Sequence, residues 1–303
     1  MVPCGLQLSG VLKATTVNRS VTVPAPGPAG PAGRADSGKI TKVVSMGLLD
    51  SKVVLISGGT QGLGAGVARA AAGQGARVMV AGRNAAAGGQ VAADLRAGGA
   101  HAAFVEADIS DPGQARAAVE ATIGVYGRID GLVNSAGLTT RGTLLDTTPE
   151  LFDQHIAVNL RGPFFLMQAA VADMVSRGAP GAIVNIISIS AHAGQAYLAP
   201  YVAAKAGLIG LTRNAAHAHR WDRIRVNGLN IGWTDTEGED ATQRTFHGAA
   251  DGWQQRAGES LPMGRLGQVG EIADFVVFLL SDRSGVVTGS VIDWDQNVIG
   301  AMD

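Results

Sequence analysis

Cysteine is nearly absent from this chain of 303 residues: only Cys4 is present. A single cysteine forms no internal disulfide and supplies no cysteine cluster for a structural metal. We therefore predict no thiol chemistry. We also predict no metal site, because His217 and His219, two residues apart on a helix, face different directions. Scarce cysteine is also usual in a reducing compartment, so we expect a cytoplasmic protein.

Excess charge and long apolar runs are missing as well. The 24 basic and 25 acidic residues give a formal net charge of -1, and no run of like charges occurs. Nucleic acids and anionic membrane surfaces bind clustered positive charge, so neither partner is predicted. Gly, Arg, Asp or Gln interrupts every apolar run before the roughly 18 residues that a membrane-spanning helix needs. The expected partner is a small molecule.

The N-terminal segment has no apolar periodicity. It contains PAPGPAGPAGRADSGK, a composition that cannot bury a core. We predict a disordered leader over residues 1–45 and one folded domain over residues 46–303. Its basic and hydroxyl residues also occur in organelle transit peptides, but Pro and Gly would break the amphipathic helix of such a peptide. A plain tail, or a translation start at Met46, is favoured.

Short β-branched runs alternate with Ala-rich helical stretches from Ser51 onwards. This alternation is typical of βαβ units around a parallel sheet. Seven strands are predicted, at residues 52–57, 77–81, 101–107, 131–136, 181–188, 224–230 and 290–294. The expected fold is α/β, a single Rossmann-type domain whose doubly wound, seven-stranded parallel sheet lies between two helical layers. Residues 232–262, polar and aromatic, are predicted to form a substrate loop or lid.

A glycine-rich turn, SGGTQGLG, follows the first predicted strand directly and opens a helix. Gly58, Gly62 and Gly64 therefore stand where the backbone can pass close to a pyrophosphate at a helix N-terminus. The alternative is a tight strand-to-helix turn that binds nothing. Its position directly after a strand favours the binding interpretation.

Tyr201 and Lys205 in YVAAK are four residues apart on an Ala-rich helix, so they share one face. A phenol with a pKa near ~10 is a poor base, but a nearby ammonium favours phenolate and lowers that pKa. Tyr201 is predicted to transfer the substrate proton. Ser188, at the end of an apolar strand, is placed to donate to the substrate oxygen that becomes negative during hydride transfer. A chance Tyr–Lys pair on a surface helix is the alternative.

These motifs, in this order, resemble the short-chain dehydrogenase/reductase family from about Leu48 to Asp303. The family's T-G-x-x-x-G-x-G has Ser57 for threonine here, its N-N-A-G reads N-S-A-G, and its P-G-x-x-x-T has Ile231 for proline. The D-G-G ending is replaced by residues 293–295, which include Trp294. The resemblance implies an NAD(P)-dependent oxidoreductase that acts on a carbonyl or secondary alcohol and assembles as a homotetramer or dimer.

The resemblance also assigns roles to single residues. Asn159 would be the fourth catalytic residue, beside Ser188, Tyr201 and Lys205, and would anchor a water molecule. The implied cofactor contacts include the adenine site at Asp108 and the nicotinamide site at Thr236. The full set is Ser57, Gly58, Thr60, Gln61, Gly62, Leu63, Gly64, Arg83, Asn84, Asp108, Ile109, Asn134, Ala136, Gly137, Tyr201, Lys205, Gly232, Thr234 and Thr236. Asn134 would in addition brace the sheet.

The end of the second strand bears on the choice of nicotinamide. A carboxylate there would accept hydrogen bonds from the ribose 2′-hydroxyl and repel a 2′-phosphate, but the sequence is VAGRN, with no acid. Gly82 leaves room, and Arg83 can pair with a phosphate. NADP is favoured over NAD. An Arg83 that stacks on adenine or lies in solvent is the alternative.

The substrate pocket is expected between Ser188 and Tyr201 and around the loop after the sixth strand. Its predicted wall consists of Ser190, His192, Gln195, Tyr197 and Trp233. Hydroxyls and amides suit a polyhydroxylated ligand, so a sugar or polyol is the favoured substrate and a 3-oxoacyl thioester the alternative. We expect His192 to orient or pack, because the Tyr–Lys pair already supplies acid/base chemistry.

Two other activities compete with this interpretation. An NADP-binding redox sensor without turnover would typically lack the tyrosine and lysine that this chain keeps. An epimerase or dehydratase usually needs a larger substrate lobe, and the short segment after Trp294 disfavours it.

Overall fold

The computed structural model describes residues 47–192 and 194–298. The leader predicted for residues 1–45 lies outside the described residues. All seven predicted strands are confirmed, and they form one parallel sheet in the order β3-β2-β1-β4-β5-β6-β9. The strands are β1 (Val53–Ser57), β2 (Arg77–Gly82), β3 (Ala102–Glu106), β4 (Gly131–Asn134), β5 (Gly181–Ile186), β6 (Ile224–Ile231), β7 (Thr234–Asp235), β8 (Gly267–Gln268) and β9 (Val291–Trp294).

Helices cover both faces of this sheet. They are α1 (Gly62–Gly73), α2 (Ala85–Ala97), α3 (Pro112–Tyr126), α4 (Pro149–Ile156), α5 (Gly162–Ser176), α6 (Ala199–His219), α7 (Glu237–His247), α8 (Trp253–Glu259) and α9 (Val269–Leu280). Side chains of α1, α2 and α9 pack in the core on one face, and those of α3, α5 and α6 in the core on the other. This is the predicted three-layer α/β/α arrangement.

Strand β1 illustrates why the strands read as continuous apolar runs. Val54 and Ile56 face the core of α1 and α9, whereas Leu55 faces the core of α3 and α5. Successive side chains of a strand point to opposite faces, and here both faces are buried. All five residues of β1 are therefore buried.

The strand order reverses between β1 and β4, which are neighbours in the sheet although they are not consecutive in sequence. Ligands of open α/β sheets bind at such a switch point, beyond the carboxyl ends of the strands. Segments that follow β1, β2, β4, β5 and β6 all emerge at this edge because the strands are parallel. The fold thus brings the predicted motifs to one side of the molecule.

Residues 232–262 do not form the predicted loop. They contain β7, which pairs in parallel with β8, and the helices α7 and α8. Thr236 caps α7 by accepting a hydrogen bond from the Glu239 N–H. Three acidic residues in the first turn stabilise the helix by their attraction to the positive end of its dipole. Stacking of Trp233 on Trp253, at 5.7 Å between ring centroids, joins the residue before β7 to α8, and Trp253 Nε1 donates to Asp240 of α7 at 2.7 Å. In the described ranges no helix is long and apolar enough to cross a membrane.

Candidate active site

The glycine turn is shaped by close approaches of its own backbone. Gly58 and Gly62 have φ values of 72° and 51°, which residues other than glycine rarely adopt. A Cβ on Gly64 would lie 2.2 Å from the Gly58 carbonyl oxygen, and one on Gly58 would lie 2.6 Å from Ala136. A Cβ on Gly62 would meet nothing nearer than Thr236, at 3.8 Å. The turn and Thr236 therefore lie close together at the α1 N-terminus, a position where a pyrophosphate can bind. We call this edge of the sheet, from the glycine turn to Tyr201, the cleft.

Three other cofactor candidates also stabilise local turns. The Asp108 carboxylate accepts a hydrogen bond from the Ser110 N–H at 2.9 Å. Asn84 caps α2 by accepting from the Ala87 N–H at 3.0 Å. The Thr236 hydroxyl oxygen accepts from Glu239, which leaves its own proton to donate across the cleft. Each side chain keeps some hydrogen-bonding capacity for a ligand.

Two of the predicted cofactor residues hold strands of the sheet together. Ser57 is fully buried and its hydroxyl donates to the Val133 carbonyl at 3.4 Å, so it links β1 to β4. Asn134 is also buried, and its Nδ2 donates to Asn185 Oδ1 at 2.7 Å. This is the bracing between β4 and β5 that the resemblance implied.

The turn after β6 is held by its own contacts. Thr234 is buried and donates to the Gly232 carbonyl at 3.0 Å. A Cβ on Gly232 would lie 1.9 Å from an Asp295 carboxylate oxygen. A side chain at position 232 would therefore displace the Asp295 side chain, which packs against this turn.

Tyr201, Lys205 and Ser188 come together in the buried end of the cleft. Tyr201 and Lys205 lie on the buried face of α6, near its start. The Lys205 ammonium donates to the Ile186 carbonyl at 2.8 Å and lies 5.7 Å from the centroid of the Tyr201 ring. Ser188 follows β5 and is close enough to the phenol for its hydrogen bond to lower the Tyr201 pKa. The proximity predicted for these three residues is thus present.

The expected effect of lysine on tyrosine is wrong for this arrangement. Burial raises the pKa of Tyr201 to about 12, because desolvation of a phenolate outweighs the hydrogen bond from Ser188 and the charge of Arg141. Burial also lowers the pKa of Lys205 to about 8. The lysine is therefore less strongly charged than in water, and its ammonium is directed at the Ile186 carbonyl.

Asn159 is fixed on three sides. It lies in a π-helical stretch, Ala157–Arg161, between α4 and α5. Its Oδ1 accepts from the Leu138 N–H at 2.9 Å, and its Nδ2 donates to the Leu138 carbonyl at 3.0 Å and lies 3.1 Å from His155 Nδ1. His155 Nε2 lies 3.0 Å from the Thr140 carbonyl. A carbonyl only accepts, so Nε2 carries the proton and Nδ1 accepts from Asn159.

Sequence reasoning missed two residues at this site, although the signals were available. His155 stands four residues before Asn159, a spacing that puts both on one face of a helix. Arg141 stands four residues after Gly137, in the loop that follows the N-S-A-G motif. Neither belongs to a recognised pattern, so their roles depend on contacts that only the fold provides.

The predicted substrate residues divide into two groups. Ser190 and Gln195 form a chain of hydrogen bonds with Ser188: Ser188 Oγ is 3.1 Å from Ser190 Oγ, which donates to Gln195 Oε1 at 3.3 Å. His192 lies apart, with its Nε2 2.7 Å from an Asp293 carboxylate oxygen beside β9. The histidine therefore ties the segment before α6 to the last strand.

The aromatic residues of the predicted pocket contact α7. The Tyr197 ring packs edge-on against His247, at 5.1 Å between centroids. Trp233 donates from Nε1 to a Glu239 carboxylate oxygen at 2.8 Å. Helix α7 thus packs against two residues of the predicted substrate wall. Among the described residues, no group of three His, Cys, Asp or Glu side chains could hold a metal ion.

Known proteins share this combination of fold and motifs. The sequence profile described as enoyl-(acyl carrier protein) reductase matches residues 58–296. (3R)-3-hydroxyacyl-CoA dehydrogenase of Canis lupus familiaris is 36% identical over 254 residues, which cover 81% of this chain and 95% of that protein. L-rhamnose 1-dehydrogenase (NAD(P)(+)) of Azotobacter vinelandii is 35% identical over 249 residues, 80% and 94% of the two chains.

A solved structure gives the same result. A phenylalanine-to-tryptophan variant of actinorhodin polyketide ketoreductase with NADPH superposes with a TM-score of 0.77 at 29% identity, covering 81% of this chain and 96% of the other. The chain belongs to the short-chain dehydrogenase/reductase family. It is therefore an NAD(P)-dependent oxidoreductase that acts on a small molecule.

Proposed function

We propose that this protein is an NADP-dependent dehydrogenase/reductase of polyhydroxylated secondary alcohols and the corresponding carbonyl compounds. Asn159, Ser188, Tyr201 and Lys205 are its catalytic residues. The observation that carries this proposal is the burial of Tyr201 and Lys205 on one face of α6, with the Ser188 hydroxyl beside the phenol. These groups stand at the same sheet edge as the glycine turn.

The chain's own groups handle the proton. Bound nicotinamide supplies the hydride in reduction and accepts it in oxidation. In reduction Tyr201 donates its phenolic proton to the substrate oxygen, and the Ser188 hydroxyl donates a hydrogen bond to the same oxygen as negative charge develops. In oxidation Tyr201 takes the proton from the substrate hydroxyl. Lys205, with a pKa of about 8, can bind or release a proton near neutral pH and so resupply this end of the cleft.

NADP is preferred because of the residues that follow β2. Arg83 is exposed at the end of this strand, and in the described part of the chain no carboxylate forms an ion pair with it. Gly82 offers no acid to repel a 2′-phosphate. The NADPH named with the actinorhodin ketoreductase supports this preference.

The choice of substrate class is supported by the polar wall of Ser190 and Gln195 and by the similarity to an L-rhamnose dehydrogenase. A 3-oxoacyl thioester is the second candidate, because the chain is equally similar to a (3R)-3-hydroxyacyl-CoA dehydrogenase. A polyol needs several hydrogen-bonding partners close to the reacting carbon, whereas an acyl chain needs an apolar path leading away from it.

The test is absorbance at the reduced-nicotinamide band. Purified protein is assayed with NADP and then NAD across sugars, polyols, simple alcohols, ketones and a 3-oxoacyl thioester. We expect NADP reduction with a polyol. Exclusive turnover of the thioester would favour the second candidate, and tight cofactor binding without turnover of any substrate would favour a redox sensor.

Tyr201→Phe tests the assignment of the proton donor. We expect turnover to fall about 10²–10⁴-fold while cofactor binding persists, since the hydroxyl serves proton transfer. Tyr126→Phe is the matched control: its hydroxyl donates to the Val78 carbonyl, away from the cleft, and the variant should keep its activity. Full activity of Tyr201→Phe would contradict the mechanism.

A further inference from the structure

Arg141 is held in the wall of the cleft by backbone pairing between two loops. The Gly142 N–H donates to the Tyr197 carbonyl, and the Ala199 N–H donates to the Gly142 carbonyl, each at 3.0 Å. The loop after β4 is thereby attached to the segment that leads into α6 and Tyr201. Arg141 consequently lies beside the substrate side of the catalytic residues.

The guanidinium of Arg141 has aromatic and neutral neighbours. Its Nη1 donates to the Thr139 carbonyl at 2.9 Å, and its Nε and Nη2 lie 3.2 and 3.1 Å from His247 Nε2. Its central carbon lies 5.2 Å from the centroid of the Tyr197 ring and 5.9 Å from that of Phe246. Aromatic faces attract a guanidinium and hold its plane without neutralising its charge.

No carboxylate compensates this charge. Within residues 47–192 and 194–298, Arg141 forms no ion pair, although its side chain is half-buried. Elsewhere, arginines lie 2.6–2.8 Å from a carboxylate oxygen, namely Arg128, Arg177, Arg244 and Arg265. The positive charge of Arg141 is therefore not neutralised by an ion pair in the cleft.

This charge acts on the reacting end of the cleft. Arg141 lowers the pKa of the Tyr201 phenol, which places the two groups within electrostatic reach. Glu239 acts on the same phenol in the opposite direction. Its carboxylate, however, is engaged by Trp233 Nε1 and by Gln243 Nε2, at 2.8 and 2.7 Å. Of the five N–H groups of Arg141, two, one on Nη1 and one on Nη2, are left to donate to a substrate.

We propose that Arg141 binds an anionic group of the substrate, a carboxylate or a phosphate, while Tyr201 acts on a hydroxyl or carbonyl elsewhere in the same molecule. A guanidinium offers paired N–H donors that match either anion. Within the proposed class of polyhydroxylated compounds, the preferred substrate is then one that carries an acidic group, a polyol acid or a polyol phosphate. This inference rests on the proposed function and names the substrate class more narrowly.

Matched substrate pairs test the proposal. The anionic carboxylates 3-hydroxybutanoate and gluconate are compared with the neutral alcohols 2-butanol and glucitol. Glucitol 6-phosphate is the phosphate counterpart of glucitol. With the wild-type protein we expect kcat/KM to be about tenfold or more higher for the anionic member of a pair. Preference for glucitol 6-phosphate over gluconate would identify phosphate as the anion, and the reverse would identify carboxylate.

Arg141→Gln should reduce the ratio of kcat/KM between anionic and neutral members at least about tenfold, mainly through KM. Arg69→Gln, which removes an exposed charge from α1, is the matched control and should keep the wild-type ratio. His247→Ala removes the contact to α7 but keeps the guanidinium. If Arg141 only fastened α7, then His247→Ala would affect both substrates as strongly as Arg141→Gln does, and the proposal would be overturned.

Two outcomes separate this inference from the function on which it rests. Turnover of the neutral members at least as fast as the anionic ones, or an unchanged ratio in Arg141→Gln, overturns the anion site and leaves the oxidoreductase in place. Absence of turnover of every hydroxy, oxo and thioester compound with both nicotinamides overturns the proposed function, and the anion site falls with it.

Discussion

His155 lies one helical turn before Asn159, and its Nδ1 is 3.1 Å from the amide nitrogen of that residue. The imidazole is fully buried, and burial lowers its pKa, so it stays neutral at physiological pH. The Thr140 carbonyl fixes the proton on Nε2. His155 therefore links the loop after β4 to the π-helical stretch that holds Asn159.

His155→Val tests this link. The change leaves an Asn159 N–H and the Thr140 carbonyl without their partner in a buried position, and each loss costs about 1–3 kcal/mol. We expect a lower Tm and a kcat that falls more than KM rises, because Asn159 is no longer held in place. Thermal unfolding and steady-state kinetics are the measurements. His155→Gln should restore part of kcat, and a His155→Val protein with wild-type kcat would show that Asn159 needs no such support.

The pH dependence of the two reaction directions follows from Tyr201. Because its pKa is raised to about 12, the phenol is protonated at neutral pH and ready to donate in reduction. Oxidation needs the phenolate, whose fraction grows as pH rises toward that value. We expect kcat for oxidation to increase with pH well into the alkaline range, and kcat for reduction to stay level until the pH approaches that pKa. Initial rates in both directions between neutral and alkaline pH measure this, and an oxidation rate that levels off near neutral pH would contradict it.

Gly64→Ala should disrupt the cofactor turn. The added Cβ would lie 2.2 Å from the Gly58 carbonyl oxygen, so the backbone must shift, at about 1–3 kcal/mol. We expect weaker NADP binding, by about tenfold or more, and a lower Tm. Gly73→Ala, in the same helix, is the control: its Cβ would meet nothing within 4 Å, and alanine should stabilise the helix by about 0.5–1 kcal/mol. Equal cofactor affinity in the two variants would show that the turn tolerates the displacement.

Arg83→Gln should weaken the binding of NADP more than the binding of NAD. If Arg83 pairs with a 2′-phosphate, its loss removes a charge-assisted contact of about 1.5–3 kcal/mol, which NAD cannot make. We expect KM for NADP to rise about tenfold or more while KM for NAD changes little. The ratio of kcat/KM for the two nicotinamides is the measurement. Similar losses with both would indicate that Arg83 stacks on the adenine.

The sheet could be predicted from the sequence because its strands are buried on both faces. Each strand appears as a short apolar run, and the seven predictions agree with the observed strands to within two residues at either end. Residues 232–262 carry no comparable pattern. Helices α7 and α8 are short and polar. The Thr236 cap of α7 is local, but the stack of Trp253 on Trp233 and its hydrogen bond to Asp240 join residues far apart in sequence.

By itself, the sequence determined the parallel sheet, the glycine turn at its switch point and the pairing of Tyr201 with Lys205, because each depends on local spacing. Tertiary structure alone decided the raised pKa of Tyr201, since desolvation depends on what the fold packs around the phenol. It also decided the contact of Arg141 with His247, which joins residues 106 positions apart. Periodicity records which face of an element is buried, whereas charge and hydrogen bonding in the cleft depend on loops that meet only after the sheet has formed.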